Sequence, residues 1–124
     1  MPSIKSFFAK LYAARTYKKI HKWSASPLET QNRVFQSLIS QAAATSFGVD
    51  HDFTSINSHA DFVKRVPVRD YEALKPYVDK VVAGEADILW KGKPLYFAKT
   101  SGTTSGAKYI PITKESMPSH IEAA

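Results

Sequence analysis

The chain has no cysteine. That excludes disulfides, thiolate metal sites and a cysteine nucleophile, and it suits a reducing compartment, so a cytoplasmic protein is expected. No apolar run approaches the ~20 residues that a membrane-spanning helix needs. Acidic residues are missing from the whole of the beginning. The first is Glu29, and Lys5, Lys10, Arg15, Lys18, Lys19 and Lys22 stand before it. The formal net charge of +6 is therefore local, because after that point eleven basic residues face eleven acidic ones. A chain built to coat nucleic acid carries its charge through the domain, so nucleic acid is not expected as a partner. The 124 residues suffice for one domain with a modest core.

Ile4, Phe7, Phe8, Leu11 and Tyr12 follow the spacing of one helical face and predict a basic amphipathic helix to about His21. It is expected to cover its own domain, with most lysines on the solvated side. The alternative for such a helix is a small module that lies on a membrane or grips an acidic partner. Lys5 and Lys10 break up any secretory leader.

Ser26-Pro27-Leu28-Glu29 predicts the next helix start: a capping serine, proline in the first helical position and glutamate at the third. Val34, Phe35, Leu38, Ile39, Ala42 and Ala43 form its apolar stripe, and Gly48 is expected to close it. Residues 50–57 read as a loop. His51 and His59 lie near Asp50 and Asp52, but they lack a recognisable zinc arrangement and are assigned solvated or capping roles; no metal ligand is assigned. Ser58 to Asp61 predicts the cap of a short helix through Lys64. A further helix from about Tyr71 to Ala83 is expected to bury Tyr77, Val78, Val81 and Val82, with Pro76 as a place where it can split and Gly84 as its end.

The stretch Thr100-Ser-Gly-Thr-Thr-Ser-Gly-Ala-Lys108 holds no large apolar side chain, and strand-like runs flank it at 94–98 and 109–112. One reading is a polar hairpin loop, since hairpins use the same residues for turn geometry. The other is a phosphate cradle. Glycines let backbone N–H groups turn toward one centre, hydroxyls add donors, and a lysine adds positive charge. The Walker loop is excluded. Three residues, not four, separate Gly102 from Gly106, Ala107 precedes Lys108, and a strand follows where a Walker loop opens a helix.

The run "FAKTSGTTSGAKYIPIT" resembles the first nucleotide-binding motif of the adenylate-forming enzymes, and its form resembles their auxin-responsive, GH3-type acyl acid amido synthetase branch. The upstream "FVKRVPVRDYEALKPYVDKVVAGEADILW" is similar to that branch too, and so is the helix around Val34 to Gly48, so the resemblance runs from roughly 26 to 117. It departs at one point: many members carry an extra residue between the second glycine and the lysine.

The resemblance implies an ATP-dependent ligase. It adenylates a carboxylic acid and then joins it to an amino acid as an amide, with Mg2+ sharing the phosphate charge. It implies Ser101, Gly102, Thr103, Thr104, Ser105, Gly106 and Lys108 as the residues that hold the ATP phosphates, and it leaves the catalytic residues unassigned. The implied fold is α/β, seen here as an α+β piece of the large domain of an adenylate-forming enzyme. That piece divides into a basic helix (1–24), a helical scaffold (25–93), a hairpin with the phosphate loop (94–112) and the start of a helix capped by Thr113 (113–124). Such enzymes are several times longer, so an N-terminal fragment inactive alone is expected.

Overall fold

A computed structural model of the chain describes residues 4–102 and 106–123. Among the described residues six α-helices and one hairpin follow in order, with a short helix at 46–50 that was not expected. They are α1 (Ile4–Ser24), α2 (Pro27–Ala42), α3 (Ser46–Asp50), α4 (His59–Arg65), α5 (Tyr71–Val82), β1 (Tyr96–Lys99), β2 (Tyr109–Ile112) and α6 (Met117–Ala123). The chain divides into two compact units, 1–36 and 37–124.

In the first unit α1 forms where its apolar spacing places it, but it buries no residue. Ile4, Phe7, Phe8, Leu11 and Tyr12 are all exposed. The reason is legible along the helix. The same i, i+3, i+4 stripe continues into Arg15, Lys18, Lys19 and Lys22, so the face is apolar in one half and basic in the other. Such a face has no uninterrupted apolar side to seat on a core. Pro27 opens α2 in the first helical position, and the Ser26 carbonyl accepts the Thr30 N–H at 2.9 Å.

The core lies in the second unit: Ile39, Ala42, Phe53, Ile56, Val78, Val81 and Ile88. The stripe on α2 is therefore buried only through Ile39 and Ala42, and Leu38 remains half exposed. Gly48 does not close α2. The helix ends at Ala42, and Gly48 sits inside α3, buried, where a Cβ would collide with the Ala42 carbonyl oxygen. The glycine serves close approach rather than a left-handed turn. Thr45 organises this corner. Its hydroxyl accepts the Gly48 N–H at 3.0 Å and donates to the Ala42 carbonyl at 2.7 Å. The Ser46 and Phe47 N–H groups donate to the carbonyls of Asp87 and Ile88, so a distant loop satisfies the first turn of α3.

The expected loop over 50–57 holds the end of α3 and a 3-10 turn, Phe53–Ser55, and it contributes Phe53 and Ile56 to the core. His51 takes the capping role rather than the solvated one: it is buried at the C-cap of α3. Its ring stacks on Phe47 at 4.1 Å, and Arg69 donates to Nε2 at 2.9 Å. A guanidinium only donates, so Nε2 is the acceptor; the proton sits on Nδ1 and is donated to the Phe47 carbonyl at 2.7 Å.

Ser58 caps α4 as expected, accepting from the Asp61 N–H, and Asp61 returns the bond by accepting from the Ser58 hydroxyl at 2.8 Å and the Asn57 N–H at 3.2 Å. The Ser58 hydroxyl first, then the Asn57 N–H, hold the Asp61 carboxyl below its ordinary pKa. A depressed carboxylate stabilises the fold above its unfolded pKa and loses that effect as pH falls through the folded one. Acidification through that carboxylate range should therefore fray α4. Asp61→Asn should shrink that acid-dependent change, read from the amide signals of residues 59–62.

Asp70 caps α5 through the Ala73 N–H at 2.9 Å. Pro76 does not split the helix. It lies on the exposed side, where water can satisfy the carbonyl left without its N–H partner. Val78 and Val81 are buried, whereas Val82 is 45% exposed, against expectation. Gly84, at φ 91°, ends α5. Its N–H reaches the Val81 carbonyl and the Glu85 N–H reaches Lys80, both at 3.0 Å, which is a Schellman cap. Thr113 and Ser116 exchange side-chain to backbone bonds at 3.2 and 3.0 Å, opening the turn that leads into α6.

Candidate functional site

Strands β1 and β2 pair antiparallel, with Tyr96 opposite Ile112, Phe97 opposite Pro111, Ala98 opposite Ile110 and Lys99 opposite Tyr109. They are the two legs of the glycine- and hydroxyl-rich loop. Thr100 ties its base twice: its N–H donates to the Lys108 carbonyl at 3.0 Å, and its hydroxyl accepts the Lys108 N–H at 3.3 Å. Above that tie Gly102 and Gly106 lie so close that a Cβ on Gly102 would collide with the Gly106 carbonyl. Gly106 has φ 79°, the left-handed region that favours glycine. The two glycines thus do different things, one permitting close approach and the other permitting the turn.

Of the residues singled out in the sequence, Ser101, Gly102 and Gly106 lie exposed on this loop. Lys108 is half-buried at its second leg. Thr103, Thr104 and Ser105 lie outside the described residues.

Two participants were not foreseen. Tyr71, the first residue of α5, accepts the Tyr109 N–H through its hydroxyl at 2.9 Å, and the Lys108 ammonium stands 5.6 Å from the centre of its ring. Helix α5 thereby holds the second leg of the loop. Lys99, at the end of the first leg, places its ammonium 5.8 Å from the Tyr109 ring centre. A lysine stands on each leg. From Ile88 to Lys114 the chain has five lysines and no carboxylate, a local excess hidden by the balanced totals. Lys99 was visible as the mirror of Lys108 across the loop. Tyr71 left no signal, because thirty-eight residues separate it from its partner.

Tyr71→Phe keeps the ring beneath Lys108 and removes the acceptor for Tyr109. A loss of about 1 kcal/mol in hairpin stability is expected, with faster exchange of the Tyr109 amide, and Tyr71→Leu should lose more.

The arrangement offers exposed backbone on a tight glycine loop, hydroxyls, a positive charge on either leg and no acid. Among the described residues it offers no general base and no activated nucleophile. Among the described residues no group of three or more His, Asp or Glu is placed to hold a metal ion.

Fold and loop together define an α+β chain whose hairpin carries a glycine- and hydroxyl-rich loop with a lysine on either leg. The chain belongs to the GH3 family: the model of the GH3 family N-terminal domain matches residues 16–123. It is 32% identical over 98 residues to an indole-3-acetic acid-amido synthetase, GH3.15, of Arabidopsis thaliana, covering 75% of this chain and 16% of that protein. It is 40% identical over 60 residues to a probable indole-3-acetic acid-amido synthetase, GH3.13, of Oryza sativa subsp. japonica, covering 47% and 13%. It is 23% identical over 94 residues to a jasmonoyl–L-amino acid synthetase, JAR4, of Nicotiana attenuata, covering 74% and 16%. The chain thus spans less than a fifth of the length of these curated relatives. No solved structure matches it.

Proposed function

We propose that this chain supplies the ATP phosphate-binding loop of an acid–amino acid ligase. The observation that carries the reading is the loop itself: Gly102 packed so close to Gly106 that no Cβ fits, on legs bearing Lys99 and Lys108. Family membership supports it, since the relatives are named as amido synthetases.

Ser101, Gly102, Thr103, Thr104, Ser105 and Gly106 would surround the phosphates with N–H and hydroxyl donors, and Lys108 would offset their charge. Lys99 joins them in that role. Adenylation forms a bond between a carboxylate oxygen and the α-phosphorus and breaks the bond to pyrophosphate. The amine of the amino acid then attacks the acyl carbon, AMP leaves, and the amine proton passes to solvent. Both steps depend on positioning and on stabilising charge, which suits a loop of donors and cations. Mg2+ would share the phosphate charge. The stretch 88–114 has no carboxylate to ligate it, so the nucleotide phosphates would hold the ion and no residue here is its assigned ligand.

The test uses the protein at the length of its relatives, with ATP, Mg2+, an amino acid mixture and either indole-3-acetic or jasmonic acid. Acid-dependent formation of AMP and pyrophosphate together with an amide is expected. Release of ADP and phosphate instead, or no nucleotide turnover across a panel of carboxylic acids, would refute the reading.

A further inference from the structure

We propose that α1 is a docking helix for an anionic lipid surface, lying along it with its apolar half inserted and its basic half on the headgroups. Ile4, Phe7, Phe8, Leu11 and Tyr12 project along one stripe of α1, each at least 60% exposed. Phe7 and Phe8 contact each other edge to face at 5.7 Å, which leaves a continuous aromatic tip. A soluble helix seldom concentrates such residues on an open face without an occupant for them.

Charge identifies the occupant. The same stripe continues through Arg15, Lys18 and Lys22, all exposed, and Lys5 and Lys10 flank the apolar half. Not one acidic side chain occurs before Glu29. A protein partner of defined shape would ask for particular contacts. A lipid surface asks only for an apolar part to bury, cations for its headgroups and aromatic rings at the boundary between them. Tyr12, Tyr17 and Trp23 are rings of that amphipathic kind, and all are exposed.

The helix has the wrong composition to span a bilayer, and no helix among the described residues is long and apolar enough to do so. It is suited to lie in the interface.

The test is co-sedimentation of the 124-residue chain with vesicles of about 70% phosphatidylcholine and 30% phosphatidylserine, against pure phosphatidylcholine. Binding to the anionic vesicles alone is expected, weakened as salt shortens the screening length. Arg15→Gln with Lys18→Gln and Lys22→Gln should lower the partition coefficient by about a hundredfold. Phe7→Ser with Leu11→Ser should abolish insertion, read as loss of quenching of Trp23 or Tyr12 fluorescence by brominated lipid. Far-UV circular dichroism of each variant separates a binding defect from a folding defect, and Glu29→Gln, off the stripe, should bind at least as well as the parent.

Four results would overturn the proposal. Equal binding to neutral and anionic vesicles, or none to either, removes the electrostatic part. Binding to soluble polyglutamate as tight as to vesicles, unaffected by the Phe7 and Leu11 substitutions, would mean an acidic macromolecule is the partner. Self-association abolished by the same two substitutions would mean that a second copy covers the helix. Loss of vesicle binding in the protein at its relatives' length would mean that the remaining chain covers it.

Discussion

Replacing Gly102 by alanine should cut acid-dependent ATP–pyrophosphate exchange by about a hundredfold or more in the protein at its relatives' length. The added methyl would occupy the place of the Gly106 carbonyl. The obstacle is backbone, not the end of a flexible side chain, so Gly102 and Gly106 must move apart, and on the proposed reading the donors around the phosphates are displaced with them. That removes several charge-stabilising contacts at once, where loss of a single such donor already costs about two orders of magnitude. Gly106 gives the contrast. Its φ is 79° and nothing stands within 4 Å of where its Cβ would be. Asparagine tolerates that backbone region, so Gly106→Asn should retain most of the exchange. Equal losses at both positions would mean that turn geometry, not close approach, governs the loop.

The second large effect is on stability. Gly48→Ala should destabilise the fold by about 3 kcal/mol, measured by urea denaturation, because the methyl must displace the Ala42 carbonyl at the junction of α2 and α3. The sign is informative. Gly48 is helical, and in an open helix the same change would stabilise by about 1 kcal/mol. A neutral or stabilising result would show that α2 and α3 do not meet as described. Gly84→Ala, with φ 91° and open space around it, should cost only about 1 kcal/mol, the strain of a left-handed residue.

These glycines show which parts of the fold were readable in the sequence. The starts of α2 and α4 were legible, because Pro27 and Ser58 act through local chemistry that needs no knowledge of the rest of the chain. The end of α5 at Gly84 was legible for the same reason. Gly48 was misread because its partner is the carbonyl of another helix, and a sequence does not display close approaches. Phe53 and Ile56 were missed as core because the segment is too short for any periodicity to declare it buried. The face of α1 was read from its first half alone. Following the stripe past Tyr12 shows it turning basic at Arg15 and Lys18.

The hairpin was found by composition and flanking strands, and the tie between Thr100 and Lys108 closes its base. What composition could not supply was the support. Tyr71 reaches the hairpin from α5, and neither its hydroxyl bond to Tyr109 nor its ring under Lys108 follows from any local pattern.

The central claim is that residues 100–108 hold the phosphates of ATP, and hydrogen exchange tests it most directly. The protein at its relatives' length would be labelled with and without Mg2+ and ATP, and again with adenosine in place of ATP. The account predicts slowed exchange of peptides covering 100–108 with ATP, no such slowing with adenosine, and loss of the effect in Thr103→Ala. Protection by ATP elsewhere in the molecule, with 100–108 exchanging as fast as before, would contradict it.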